Sequence, residues 1–173
     1  MKLSSLRIAL FAVFISASLS LAAEGEYKVK AAMLYNFAKF VEWPAESFIN
    51  GHQIIYCIAG KSPLYEQMLQ MQGKSVKGQT VIVRQIVRPN DVTGCQILFI
   101  PHSESNHLSA FLKQSNHHKI LTVSELEQFT ESGGMVGFND VENKISFEIN
   151  QETARKQGLQ ISSHLLNLAR KIR

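Results

Sequence analysis

The sequence is poor in the residue types that mark fibrous, disordered or membrane-spanning proteins. Its 173 residues include only 2 cysteines, 4 prolines and 10 glycines, which excludes a collagen-like repeat and a disordered chain of low complexity. Beyond residue 22 no apolar run reaches the roughly 20 residues that a transmembrane helix needs, so a multi-span membrane protein is excluded as well. The 45% of apolar residues are enough for the core of one compact domain.

The first 22 residues differ in character from the rest. Two basic residues, Lys2 and Arg7, precede the apolar stretch Ile8–Leu19, and the sequence Ser-Leu-Ala that ends at Ala22 has small residues where a signal peptidase requires them. Three serines interrupt the apolar stretch before it is long enough for a membrane anchor. This arrangement predicts a cleaved secretory signal peptide over residues 1–22.

Cleavage would leave a single mature domain over residues 23–173 in an exported compartment, the periplasm where the host has two membranes. The leader takes 2 of the 18 basic residues with it and leaves all 14 acidic ones, so the mature net charge falls from +4 to about +2. No cluster of Lys and Arg remains that would bind nucleic acid. We therefore expect no nucleic-acid partner.

The two cysteines, Cys57 and Cys95, allow one intramolecular pairing. In an exported protein a disulfide between them would close a loop of about 39 residues and contribute roughly 4 kcal/mol on the chain-entropy argument. Both cysteines also lie in or beside predicted strands, where two buried free thiols would pack equally well. The residues alone leave both interpretations open.

Apolar periodicity predicts strands that alternate with helices and then a hairpin. The predicted strands are 53–59, 80–87, 96–100 and 119–123, followed by the hairpin 134–149. The predicted helices are 26–41, 64–71 with Ser62 as its cap, one capped by Ser103 or Ser105, one capped by Ser124, one capped by Asn150, and a last one carrying Ile161, Leu165, Leu168 and Ile172. This order predicts a single three-layer, Rossmann-like α/β domain, with a mixed, mostly parallel sheet, a late antiparallel hairpin and helices on both faces.

The familiar catalytic motifs fail when their spacing is tested. Two Gly-Lys-Ser triplets begin at Gly60 and Gly73, but Ile55 and Met68 stand where a phosphate loop needs its first glycine. The six histidines lack metal-ligand spacing and are best explained as solvated side chains. No nucleophile elbow is present. We expect no catalytic residue, no metal and no cofactor, and hence no enzyme.

Five stretches of the sequence resemble the YfiR-like proteins, a family of small exported bacterial proteins. The stretches are Glu26–Pro44, Ile55–Gly60, Cys95–Ile100, Gly133–Phe138, and Phe147–Asn150 followed by Ile161–Ser163. The likeness covers nearly all of the mature chain. Some members carry a second cysteine pair near the late hairpin, where this chain has Ser132 and Asn139, so only a Cys57–Cys95 bond could respond to redox conditions.

The resemblance implies a periplasmic negative regulator of cyclic-di-GMP signalling and biofilm formation. Such proteins bind the exported sensing domain of a membrane-anchored diguanylate cyclase. Other members are associated with sensor kinases or outer-membrane receptors, so a module that binds a small molecule is the alternative. The resemblance also implies a homodimer.

We expect binding of a partner or ligand at one small cleft. Ligands of α/β domains tend to lie outside the carboxyl ends of the strands. This favours a cleft at the turn after Gly60 and at Gly134 and Gly137 of the hairpin. The Trp43-Pro44 corner and the Ser162-Ser163 pair would form its walls. The predicted residues are Asn36, Phe40, Glu42, Trp43, Gly60, Gly134, Gly137, Ser162 and Ser163. Simpler roles stay open for three kinds of residue. Burial in the core is the more economical role for the aromatic residues, and helix capping is the more economical one for the two serines. For Asn36 a hydrogen bond to neighbouring backbone and a place in the pocket carry equal weight.

Overall fold

A computed structural model describes residues 24–48, 51–141 and 144–173 of the chain. The predicted signal peptide, residues 1–22, lies outside the described residues. No helix within the described ranges is both long enough and apolar enough to cross a bilayer.

The described residues alternate between strands and helices along most of the chain. Helix α1 covers residues 24–40. The strands and the other α-helices in chain order are β1 Val41–Glu42, β2 Gln53–Ala59, α2 Pro63–Leu69, β3 Ser75–Val76, β4 Gln79–Ile86, β5 Ile97–Ile100, α3 Leu108–His118, β6 Leu121–Ser124, β7 Val136–Val141, β8 Lys144–Ile149, α4 Gln151–Lys156, β9 Gln160–Ile161, α5 Ser163–Leu168 and β10 Lys171–Ile172.

Eight strands form one sheet in the order β10-β8-β7-β6-β5-β2-β4-β3. Neighbours from β7 through β4 run parallel, as do β10 and β8, whereas β7–β8 and β3–β4 are antiparallel. A separate pair, β1 and β9, ties the end of α1 to the segment before α5. The predicted α/β class, with a mostly parallel sheet and a late hairpin, is confirmed.

The alternation of side chains along each strand divides the core into two layers. In β2 the side chains of Ile54, Tyr56 and Ile58 pack with α1, α2, α4 and α5. The intervening residues of β2 pack on the other face with Phe111 and Leu112 of α3. Helices therefore cover both faces of the sheet, which is the predicted three-layer arrangement.

Cys57 and Cys95 form a disulfide that joins β2 to the residues just before β5. Their Cα atoms are 5.9 Å apart. The guanidinium of Arg84 lies against the bond, with Nη2 3.0 Å from Cys95 Sγ and 2.8 Å from the carbonyl oxygen of Thr93. The disulfide interpretation is thus confirmed over the free-thiol one.

Two predicted helix starts are wrong. Residues 125–133 form turns rather than a helix, because Gln128 takes a left-handed conformation with φ of 55°, although Ser124 Oγ does accept a hydrogen bond from the Leu126 amide. Helix α3 begins at Leu108 without a side-chain cap. Ser103 does not cap it, because its hydroxyl donates to the carbonyl oxygen of Lys61.

The predicted last helix is too long at both ends. Ile161 belongs to strand β9 and Ile172 to strand β10, which leaves only Ser163–Leu168 helical. The amides of Arg170 and Arg173 donate to carbonyl oxygens of β8 instead of continuing the helix. Pairing with the sheet, a contact distant in sequence, decides the conformation here.

Candidate functional site

An apolar concave surface lies between α1, β8 and α5. This α1–β8 groove has a volume of about 510 Å³. It is lined by Met33, Asn36, Phe37, Lys39, Phe40, Ile145, Ser146, Phe147, Leu165 and Leu168. Residues three and four apart on a helix share a face, so one side of α1 supplies half of the lining. Its volume falls in the range of about 300–1,000 Å³ that is usual for ligand pockets.

Aromatic rings pack against one another along the α1 side of the groove. Phe37 is buried, and its ring centroid lies 5.1 Å from that of Phe147 in an edge-on arrangement. Phe40 is half-buried, with its ring 5.0 Å from the imidazole of His164. Edge-on and tilted ring pairs are favourable packing geometries. The floor of the groove is therefore part of the core, whereas its rim faces solvent.

Two exposed apolar side chains lie in or next to the part of α1 and α5 that forms the groove. Leu168 of α5 is 60% exposed, and Val29 of α1, which is on the same side of the helix as Met33, is 45% exposed. Single exposed apolar residues are ordinary, but an exposed leucine in the wall of an apolar groove is typical of an interaction surface.

Few polar groups line the groove. The amide of Asn36 makes no hydrogen bond within the part of the chain that the structure describes, and the ammonium of Lys39 lies 5.0 Å from the centroid of the Tyr35 ring. Ser146 donates to the carbonyl oxygen of Asn139 at 3.2 Å. The groove thus combines apolar walls with one amide and one cation at its rim.

Trp43, which directly follows β1, lies at the amino edge of the sheet. Trp43 Nε1 donates to the carbonyl oxygen of Gln96 at 3.1 Å, and Gln96 directly precedes β5. Trp43 and the exposed Glu42 line a second cavity of about 330 Å³, where the ring of Phe48 meets that of Trp43 edge-on.

Gly60 lies at the opposite, carboxyl edge of the sheet, directly after β2. Its φ of +58° is left-handed, and a methyl group at this position would overlap the Glu104 side chain. The Glu104 carboxylate is in turn 2.9 Å from His107 Nδ1. The Glu104 side chain therefore covers the crevice beyond the carboxyl end of β2.

The two hairpin glycines allow close packing rather than line the groove. Gly134 lies against the ring of Phe129. Gly137 pairs with Ser124 of β6 and with Glu148 of β8. Two strands stand between β2 and β7, so about 14 Å separates Gly137 from the Gly60 turn.

The two serines lie where β9 joins α5. The amide of Ser162 donates to the carbonyl oxygen of Phe40 at 2.8 Å. Ser162 Oγ accepts from the Leu165 amide at 3.3 Å and so caps α5, whereas Ser163 is exposed. The capping role that the sequence left open thus applies to Ser162.

The structure brings together only some of the predicted site residues. Asn36 and Phe40 line the α1–β8 groove, and Ser162 is bonded to Phe40. Trp43 and Gly60 lie at opposite edges of the sheet and do not share one cleft. A binding role for these residues stays a prediction.

Several groove residues were missed because the signal in the sequence was incomplete. The predicted apolar stripe of α1 already contained Met33 and Phe37, and the alternation of β8 already contained Ile145 and Phe147. The sequence did not indicate that α5 and β8 would flank α1. Leu168 was instead assigned to the inner face of a longer helix.

A buried ion cluster fixes the first half of α1. Lys30 is only 5% exposed and contacts the carboxylates of Glu26 and Glu125. Burial opposes the charge on Lys30, but its hydrogen bonds to Glu125 and Glu26 outweigh that effect and raise its pKa. Burial, together with the nearby Glu125 charge, also raises the pKa of Tyr27. Among the described residues no group of three His, Cys, Asp or Glu side chains is arranged to hold a metal ion.

Two solved structures share the fold. One is a conserved domain protein from Vibrio cholerae, with a TM-score of 0.54 and 11% sequence identity. The other is an ABC domain in complex with L-Trp from Streptococcus pneumoniae, with a TM-score of 0.51 and 11% identity. Each alignment covers 74% of this chain and 57% of the other, so this chain spans little more than half of either protein. At this identity the similarity concerns the fold alone.

The sequence profile of the YfiR/HmsC-like family matches residues 27–170. This range includes all the strands and helices described above except the first residues of α1 and strand β10. The family comprises periplasmic, non-enzymatic regulators, and at family level it supports a role in cyclic-di-GMP signalling. The resemblance seen in the sequence is confirmed: the chain belongs to the YfiR/HmsC-like family.

Proposed function

We propose that this protein is a periplasmic negative regulator whose α1–β8 groove binds the exported sensing domain of a membrane-anchored signalling protein. The expected partner is a diguanylate cyclase, with a sensor kinase as the next candidate. One observation carries the proposal: a 510 Å³ apolar groove continues into Leu168, which is 60% exposed. Burial of such water-exposed apolar surface against a protein partner is favourable.

Repression follows from differential affinity. If the groove binds only the inactive arrangement of the sensing domain, binding shifts the sensor's population toward that arrangement. A hundredfold preference would correspond to about 2.7 kcal/mol. Loss of binding would release the cyclase and raise cyclic-di-GMP. The regulator itself makes and breaks no covalent bond in this scheme.

The test is binding of the mature protein, proposed as residues 23–173, to the purified exported domains of the membrane-anchored diguanylate cyclases and sensor kinases of the same organism. Leu168→Glu places a charge on the apolar surface and should weaken binding at least about tenfold. Val87→Glu is the matched control, because Val87 is 74% exposed at the end of β4, away from the groove. Absence of binding at micromolar concentration, or an equal effect of both variants, would contradict the proposal.

The cavity also favours the second candidate, a small-molecule-binding module that acts with a sensor kinase or an outer-membrane receptor. A ligand that binds only the folded state raises the melting temperature without any protein partner. A thermal-shift experiment on the isolated domain therefore separates the two functions. Homodimer formation stays a prediction, to be measured by sedimentation of the same sample.

A further inference from the structure

We propose that the α1–β8 groove binds an anionic amphiphile with a single medium-length acyl chain. The shape of the groove is the first argument. The part of α1 that lines it runs from Met33 to Phe40, and at about 1.5 Å per residue this corresponds to a length of about 10 Å. Ile145 and Phe147 of β8 and Leu165 of α5 form the other walls. An apolar groove of this length accepts an extended chain.

Charge is the second argument. Lys39 lines the rim, and it takes part in none of the ion pairs between described residues. Asn36, beside it on α1, supplies an amide with no hydrogen bond to the described residues. A carboxylate head group at this end of the groove would accept a hydrogen bond from Asn36 and draw the Lys39 ammonium from the Tyr35 ring, where it lies 5.0 Å from the centroid, while its chain lies against the aromatic floor. A cationic head group would be repelled by the Lys39 charge, and an uncharged one would gain no attraction from it.

The amphiphile and the partner domain would use one surface, so each should exclude the other. This consequence, unlike amphiphile binding itself, rests on the function proposed above. An accumulating amphiphile would then release the signalling protein. Binding is measured on the isolated mature protein, so failure of either proposal can be recognised without the other.

The experiment is titration calorimetry of the mature protein with octanoate, decanoate and dodecanoate below their micelle concentrations. One site is expected. Each methylene that fits within the roughly 10 Å of the groove should tighten Kd about fourfold, and the gain should level off for the part of the dodecanoate chain that extends past it. Dodecyltrimethylammonium, which has the same chain and the opposite charge, should bind more weakly than dodecanoate. Equal affinity for the two head groups, or no dependence on chain length, would overturn the proposal.

Variants locate the site. Lys39→Gln should weaken dodecanoate binding about two- to fivefold, since Lys39 is exposed and partly screened. Lys28→Gln removes the same charge from an exposed position of the same helix and should change nothing. Leu168→Glu should weaken binding further, and Asn36→Phe, which fills the groove, provides a second test should Leu168→Glu fail to fold. Unchanged dodecanoate affinity in a folded groove variant would overturn the proposal.

Discussion

The ammonium of Lys30 lies 2.6 Å from a carboxylate oxygen of Glu125, although 95 residues separate them in the chain. The contact joins the amino-terminal half of α1 to the end of β6. Tyr27 donates to the other carboxylate oxygen of Glu125 at 3.3 Å. Because α1 forms half of the groove, these contacts also fix one wall of the candidate site.

Replacing Lys30 with methionine should destabilise the protein by about 3 kcal/mol, because the largely buried Glu125 carboxylate loses its counterion. The control is Lys28→Met, which changes an exposed residue of the same helix and should have an effect within about 0.5 kcal/mol. Urea unfolding followed by circular dichroism measures both. Similar midpoints for the two variants would show that the ion cluster contributes little.

The same cluster predicts how stability responds to alkali. The pKa of Lys30 is raised above its ordinary value of 10.5, so its contribution is fully present below that value and is lost as the pH rises through the folded-state pKa. The difference in unfolding free energy between the wild type and Lys30→Met should therefore be constant from about pH 7 to pH 9 and shrink above about pH 10.5. A constant difference up to pH 12 would contradict this assignment.

Removal of the disulfide should lower stability under oxidising conditions. The bond links residues 38 apart, and closing a loop of this size contributes roughly 4 kcal/mol on the chain-entropy argument. Cys57→Ser with Cys95→Ser should therefore melt at a lower temperature than the wild type without reductant. Reductant should shift the wild type toward the double variant and leave that variant unchanged. Identical melting temperatures in all four samples would contradict the prediction.

Gly134 should tolerate no side chain, because a methyl group there would overlap the buried ring of Phe129. We expect Gly134→Ala to cost about 2 kcal/mol, a typical penalty for overpacking. Gly137→Ala, in the adjoining strand, meets its neighbours at ordinary contact distance and should be tolerated. A second change, Phe129→Leu, should recover part of the loss in Gly134→Ala. Equal stability of the two alanine variants would show that the ring moves aside freely.

Sequence reasoning succeeded where local chemistry decides the structure. Ser62 accepts a hydrogen bond from Leu64 at the start of α2, and Asn150 accepts one from Thr153 at the start of α4, as their residue types predicted. The alternating apolar residues of β8 likewise predicted its hairpin with β7. The two caps depend on residues within a few positions of one another, and the hairpin depends on two strands joined by a short turn.

It failed where contacts distant in sequence compete with local preference. The periodic residues Ile161 and Ile172 suggested a long last helix, but the backbone on both sides of α5 pairs with other strands. The groove shows the same division: its α1 wall could be predicted from helical spacing, whereas its β8 and α5 walls depend on tertiary packing. The predicted cleft combined residues from both edges of the sheet because strand ends cannot be placed from spacing alone.

The two serines before α5 give the sharpest separation of a structural role from a binding role. Ser162 Oγ accepts a hydrogen bond from the Leu165 amide, whereas Ser163 is exposed one position further on. Ser162→Ala should therefore cost about 1 kcal/mol, the usual effect of losing a helix cap, and Ser163→Ala close to nothing. Urea unfolding provides the comparison, and dodecanoate titration of the same samples provides the second readout. If the roles are as the contacts indicate, Ser162→Ala lowers the unfolding midpoint while its dodecanoate affinity stays within about twofold of the wild type, because a cap removed at the start of α5 leaves the apolar walls in place. A large loss of affinity with an unchanged midpoint would instead assign Ser162 to the binding surface.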